Sequence, residues 1–141
     1  MKRVLLTVLV CAAVLLQITG CSARLKVGEV SDITVSDGGS ISLSVKEGTL
    51  TNVGAMLILT NGGDETITYG ETYEIEIKRD AEWHRINAKM DFTLPAYPLD
   101  PGESHEIELD WETFYGKLPK GTYRIIKEAG DIYVSAEFEI K

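Results

Sequence analysis

Apolar residues occupy every second position from Ile132 to Ile140, and mostly polar residues fill the positions between them. Successive side chains of a β-strand point to opposite faces, so this alternation predicts a strand with one buried face. The same period recurs at 41–45, 73–78 and 106–111. A helical period is nearly absent from the rest of the chain. The pattern therefore predicts an all-β fold.

Further strands are predicted between turn residues. Residues 55–59 are apolar at every position, which is typical of a central strand, and the turn Asn61-Gly62-Gly63 follows. Other strands are predicted to begin near Trp83 and Tyr123, with Ile33–Val35 as a first, loosely held strand. Residues 110–116 predict one short helical turn capped by Asp110. About seven short strands in this arrangement favour an antiparallel β-sandwich.

The N-terminus has the features of a secretory signal peptide. A basic start, Met1-Lys2-Arg3, precedes thirteen residues, Val4 to Leu16, that are apolar except for Thr7. This run is too short to span a bilayer, which requires about 20 helical residues. It is followed by Ile18-Thr19-Gly20-Cys21, which resembles the bacterial lipobox. That resemblance implies cleavage before Cys21 and attachment of lipid to its thiol.

The lipobox divides the chain into three parts. We predict a signal helix at 1–20, a lipidated N-terminus and tether at 21–37, and a β-sandwich at 38–141. Acyl chains on Cys21 would hold the protein on the outer side of the cell membrane. Cys11 would leave with the signal peptide, so the mature chain would have no free thiol for catalysis, redox chemistry or metal binding.

The charge of the chain argues against nucleic acid as a partner. The sequence has 14 basic and 22 acidic residues. Residues 1–20 contain two basic residues and no acidic ones, so the mature chain carries 12 − 22 = −10. Phosphate groups would be repelled by such a surface. The predicted partners are the lipid bilayer, through acylated Cys21, and another envelope protein or a glycan.

A resemblance to a known family supports the predicted sandwich. Tyr123 follows the turn Leu118-Pro119-Lys120-Gly121 and resembles a tyrosine corner, in which the hydroxyl bonds a backbone group just upstream. The stretches "SLSVKEGTLTNVGAMLILTN", "YGETYEIEIKRDAEWH" and "LDPGESHEIELDWETFYGKLPKGTYRIIKE" are similar to a bacterial immunoglobulin-like domain family of lipoproteins and surface proteins. The resemblance spans roughly Ser40 to Ile140. It implies an immunoglobulin-like sandwich and no established activity.

Catalytic and metal-binding patterns are missing from the sequence. His84 and His105 each stand among charged neighbours, without a second ligand or base at a recognisable spacing. Neither GxSxG nor a phosphate-binding glycine loop occurs. We therefore predict a protein that is not an enzyme and has no cofactor. Calcium at the acidic turn 61–65 is a weaker alternative to a plain hairpin turn.

Aromatic residues are the predicted binding side chains. Trp111 continues the inward register of Ile107 and Leu109, which favours a core position over sugar stacking. The remaining candidates for an exposed binding surface are Phe92, Tyr97, Phe114 and Tyr115. On this basis the chain is predicted to be an interaction module whose loops bind a ligand.

Two other functions remain open from the sequence. The connection from Asn87 to Pro101 contains three prolines and could act as the inhibitory loop of a proteinase inhibitor. The domain could also be a structural spacer on the cell envelope.

Overall fold

The computed structural model describes residues 24–36, 38–91 and 95–141. The predicted signal peptide and Cys21 lie outside these residues, as does Phe92. The elements, in chain order, are β1 (Val27–Val30), β2 (Ile41–Val45), β3 (Gly54–Asn61), β4 (Ile67–Tyr69), β5 (Glu74–Arg79), β6 (Glu82–Ile86), β7 (Tyr97–Leu99), β8 (Ser104–Asp110), α1 (Glu112–Tyr115), β9 (Gly121–Ala129) and β10 (Ile132–Ile140).

The strands form two antiparallel sheets. The larger sheet has the order β1-β6-β5-β9-β4-β7, and β10 also pairs with β9. The smaller sheet has the order β2-β3-β8. The predicted all-β sandwich is confirmed, but the described residues form ten strands rather than about seven. The extra strands include β1, β4 and β7, which are three or four residues long and too short to show a clear period.

The core lies between the two sheets and contains a stack of three aromatic rings. Trp111 and Tyr123 are fully buried, and the ring of Phe138 lies 5.7 Å from Trp111 and 5.5 Å from Tyr123 between centroids. The Trp111 Nε1–H donates to the carbonyl of Asn52 at 3.0 Å. The predicted core position of Trp111 is confirmed.

The short helix α1 forms as the sequence predicts, with a small difference at its start. The Asp110 side chain accepts a hydrogen bond from the Glu112 N–H at 3.0 Å. The backbone N-cap, however, is Trp111, which makes no side-chain capping bond. Gly116, at a φ of 70°, ends the helix in a conformation that glycine adopts without steric cost.

The predicted tether is in part a component of the sandwich. Residues 27–30 form β1 and pair with β6, whereas the predicted first strand at Ile33–Val35 is wrong, because 31–36 have no strand partner. Ser31 N–H donates to Trp83 in β6, and Ser36 N–H donates to Tyr133 in β10. Between these two anchors the segment 31–36, here called the crossing segment, passes over the outer face of the larger sheet.

Two residues on the outer face of the larger sheet are buried, although the period of two does not predict it. Glu76 lies between the core residues Ile75 and Ile77, so the period of two at 73–78 places it on the opposite face, yet it is fully buried. Ile126, on the neighbouring strand β9, is 2% exposed although its side chain also points away from the sheet interface. Both lie on the outer face of the larger sheet, where Arg124 of β9 donates to the Glu76 carboxylate.

A tyrosine corner begins β9. The Tyr123 hydroxyl donates to the carbonyl of Pro119 at 2.6 Å, which confirms the predicted bond. Burial raises the pKa of Tyr123 to about 12. The bond therefore fixes the turn before β9 to the buried ring.

Replacing Tyr123 with phenylalanine should test this bond alone. The ring contact with Phe138 remains, whereas the hydrogen bond to Pro119 is lost. We expect the free energy of unfolding, measured by urea denaturation, to fall by about 1 kcal/mol. Tyr133→Phe, at a tyrosine that is 42% exposed, is the matched control and should change little. Equal effects of the two substitutions would contradict a stabilising role for the corner.

Candidate functional site

A groove of about 460 Å³ lies where the free edges of the two sheets face each other. One wall is β8 of the smaller sheet, and the other wall is formed by β4, the 70–73 loop and β7 of the larger sheet. Phe114 of α1 lies at one end. The lining residues that carry chemistry are aromatic or acidic: Tyr69, Tyr73, Tyr97, Phe114, Glu71, Glu106, Glu108 and Asp110. Within the described part of the chain, no lysine or arginine lines the groove.

Tyr97 is the exposed aromatic residue of the groove. Its side chain is 39% exposed, and its ring lies 5.5 Å from that of Tyr69, its cross-strand partner in β4. The Tyr97 hydroxyl donates to Glu71 Oε1 at 3.0 Å, and this bond raises the tyrosine pKa. The rings of Tyr69 and Tyr97 thus form a small platform beside a carboxylate.

The platform is held to the smaller sheet by a histidine. The Tyr69 hydroxyl lies 2.8 Å from His105 Nδ1, and the two rings meet edge to face with centroids 5.7 Å apart. Burial raises the pKa of Tyr69. His105 therefore joins the two sheets. His84 contacts the carbonyl of Gly28 in β1 at 3.2 Å, far along the larger sheet.

Tyr115 has a structural role rather than the exposure expected of it. Its hydroxyl accepts a hydrogen bond from the Ile75 N–H at 3.1 Å, and burial raises its pKa to about 12. Its ring lies 6.2 Å from that of Tyr73, which lines the groove. Tyr115 supports the groove from behind and does not line it.

The structure brings together two of the four predicted binding residues. Tyr97 and Phe114 both line the groove, although Phe114 is only partly exposed. Tyr115 lies behind the groove, and Phe92 is outside the described residues. Tyr69, Glu71, Glu106 and Glu108 also line the groove but are not among the residues predicted from the sequence. The signal that could have found them is the tyrosine pair in two short strands flanked by acids.

The acidic turn at 61–65 is organised by its own asparagine. The Asn61 side-chain oxygen accepts the Gly63 N–H at 3.0 Å, and its amide donates to the carbonyls of Glu65 and Leu99. These bonds account for the polar atoms of a side chain that is 1% exposed. Across residues 24–36, 38–91 and 95–141, no three His, Cys, Asp or Glu side chains are grouped as metal ligands would be.

A buried lysine closes the gap between β4 and β5 beside the groove. Both strands pair with the same edge of β9, and the Lys127 ammonium donates to the carbonyls of Gly70 and Thr72 between them. Lys127 is 1% exposed. Burial lowers its pKa to about 8, although the nearby carboxylate of Glu71 opposes this.

Lys127 should make the protein more stable as the pH rises from 8 to about 9.5. In this window the unfolded lysine, with its pKa near 10.5, binds more protons than the folded one. Stability therefore increases with pH, by roughly 1 kcal/mol per unit at most. Above about pH 10 the raised pKa values of Tyr115 and Tyr123 act in the opposite direction.

The measurement is urea denaturation at pH 8 and at about pH 9.5, with Lys127→Met as the comparison. The variant should be less stable at both pH values because the two carbonyls lose their donor, and its stability should not rise with pH. A rise of the same size in the variant would show that another group is responsible.

Two antiparallel sheets, an aromatic core and a tyrosine corner define an immunoglobulin-like β-sandwich. The family described as bacterial Ig-like domain matches residues 37–139. Since this match covers most of the 141 residues, the chain belongs to that family, and the predicted resemblance is confirmed. No curated protein matches the sequence. In the described part of the chain, no helix is long and apolar enough to cross a bilayer.

Proposed function

We propose that this protein is a lipid-anchored, extracytoplasmic binding module that holds its ligand in the groove between β8 and the β4–β7 edge. It acts without catalysis, in keeping with the family to which it belongs. The observation that carries the proposal is the groove itself. It combines an exposed tyrosine with several acidic lining residues, and among the described residues no lysine or arginine lines it.

The groove suits binding because its side chains are positioned before a ligand arrives. Tyr97 is fixed by Glu71 and by the ring of Tyr69, which is in turn fixed by His105. Binding to pre-ordered side chains loses less conformational entropy than binding to mobile ones. Ligand pockets typically combine an aromatic lining with a few placed polar groups, as this groove does.

The lipid anchor is supported by the lipobox that ends at Cys21 and by the signal peptide features before it. Mass spectrometry of the protein purified from membranes tests it directly. The N-terminal peptide should begin at Cys21 and carry a diacylglycerol thioether. Cys21→Ala should leave the protein unprocessed and without lipid. A membrane-bound chain with a free Cys21 thiol would refute the anchor.

The groove can be tested on living cells with a photo-crosslinking amino acid. Placed at Glu108 in the groove, it should capture a recurrent partner, whereas at Glu139 on β10 it should not. Tyr97→Ala should abolish the adduct at Glu108. Tyr133→Ala is the matched control, since both tyrosines lie on strands and are about equally exposed, at 39% and 42%. Equal capture at Glu108 and at Glu139, or no capture at Glu108, would refute the groove as the binding site.

A further inference from the structure

The ligand class follows from the free edge of β8. We propose that the groove takes an extended, basic segment of a partner protein, which pairs with β8 as an added strand. This inference rests on the proposed function and names the occupant of the same groove.

The backbone of β8 has one satisfied edge and one open edge. Trp111 N–H donates to Val53, and the Glu103 carbonyl accepts from Asn61, so odd-numbered residues direct their backbone groups to β3. In an antiparallel pair, hydrogen-bonded and non-hydrogen-bonded positions alternate. Glu106 and Glu108 therefore direct their N–H and C=O groups away from β3, along the groove. Among the described residues, β8 has no second strand partner.

The charge beside this edge selects a basic partner. Glu106 and Glu108 lie on the exposed outer face of β8, next to its open edge, and Glu71 and Asp110 also line the groove. Glu106 also pairs with Lys46, at 2.6 Å, on the outer side of the smaller sheet. Opposite charges at facing positions of neighbouring strands stabilise the pair, and like charges destabilise it. A second copy of this acidic strand would be repelled by the first.

The aromatic rings of the groove predict that every second side chain of the partner strand is apolar. On an added strand, every second side chain would point towards the sandwich, where Tyr73 and Phe114 line the groove. The intervening side chains would lie beside Glu106 and Glu108. The preferred segment therefore alternates apolar and basic residues over about the seven residues of β8.

Acidic residues on an edge strand also discourage aggregation, and that role alone would explain Glu106 and Glu108. It does not explain the cavity beside them. Protection of a strand edge against aggregation requires neither an exposed tyrosine held by a carboxylate nor an open groove. The coincidence of open backbone groups, carboxylates and aromatic rings is what favours strand addition.

The test is a titration of the full-length lipidated protein in detergent micelles with an acetylated, amidated heptapeptide of alternating lysine and valine. Hydrogen exchange at single amides, read by NMR, is the decisive signal. The Glu106 and Glu108 amides should become protected on binding, whereas those of Ile107 and Leu109 are already protected by β3. Binding should weaken as salt is raised.

Two further peptides and two ligands of other classes complete the panel. A peptide N-methylated at alternate residues keeps the charge but cannot pair, and it should bind at least roughly tenfold more weakly. A peptide with glutamate in place of lysine should not bind. Equal binding of the methylated peptide or of spermine would overturn strand addition in favour of simple cation binding. Binding of an oligosaccharide but not of the peptide would overturn the proposal outright.

Two substitutions at Glu108 separate the contribution of backbone pairing to peptide affinity from that of charge. Glu108→Gln should lower the affinity for the lysine peptide roughly two- to fivefold, as expected for an exposed ion pair. Glu108→Pro removes an outward N–H and leaves the hydrogen bonds to β3 in place. It should lower the affinity for the lysine peptide roughly tenfold or more. Glu139→Gln on β10 is the charge control and should have no effect. Unchanged affinity in Glu108→Pro, with the fold intact by circular dichroism, would refute pairing at this edge.

Failure of this inference can be told apart from failure of the proposed function. If Glu108 captures a partner on cells but the lysine peptide does not protect the β8 amides, the groove binds a ligand of another class. If Glu108 captures nothing, the groove is not the binding site.

Discussion

Trp111→Ala should destabilise the protein more than any other single truncation in the core, by about 3–5 kcal/mol. The indole is fully buried, packs on Phe138 and donates to the Asn52 carbonyl. Truncation therefore leaves a cavity between the two sheets and a carbonyl that has lost its donor. A loss of this size is a large part of the stability of a single domain.

The experiment is urea unfolding followed by circular dichroism, with Trp83→Ala as the matched control. Trp83 is the other tryptophan of the chain and is partly exposed on the outer face of the larger sheet. Replacing Trp83 should lower the free energy of unfolding by distinctly less than replacing Trp111. If the two variants lose equal stability, the sandwich core does not depend on Trp111 as its burial indicates.

Arg124→Met should lower the free energy of unfolding by about 3–5 kcal/mol because it leaves a buried carboxylate without its counter-charge. Arg124 Nε and Nη2 both donate to Glu76 Oε2 at 2.7 Å. Glu76 is fully buried, and its Oε1 has no partner among the described residues. The guanidinium also lies 4.8 Å from the Trp83 ring centroid.

A double variant distinguishes the loss of the pair from the loss of packing. Arg124→Met combined with Glu76→Leu removes both charges and should recover most of the stability. Arg85→Met is the surface control, because Arg85 pairs with Asp32 in an exposed ion pair and should cost less than about 1 kcal/mol. A double variant as unstable as Arg124→Met would show that lost packing dominates.

Features that depend on neighbours in sequence could be predicted with their residues. The strand at Ile132–Ile140 follows from its period of two, and Tyr123 bonds a carbonyl four residues upstream. Trp111 extends the register of its own strand into the core. In each case the structure is set by local geometry or by the side of one strand on which the residue lies.

The burial of Glu76 could not be predicted in this way. Its position in the alternation gives only the face of the sheet, and the outer face of a sandwich is normally open to solvent. Glu76 is buried against Arg124, which is 48 residues further along the chain than Glu76. Residues 27–30 are likewise part of the larger sheet, although the weak periodicity of 21–37 predicts a tether.

The binding groove likewise depends on contacts between distant parts of the chain. Tyr69 meets His105 across 36 residues, and Tyr97 meets Glu71 across 26. A sequence pattern does not indicate which strand edges will face each other when two sheets pack. Tyr97 and Phe114 were predictable as aromatic candidates, but their acidic neighbours were not.

By itself, the sequence determined the all-β class, the core position of Trp111, the tyrosine corner and the family, because these follow from local periodicity and recognisable motifs. Only the tertiary structure decided which strand edge stays open, which charges are buried and which aromatic rings share a groove. The physical reason is that strand periodicity specifies the face on which a side chain lies. What covers that face is set by the packing of residues far apart in the chain.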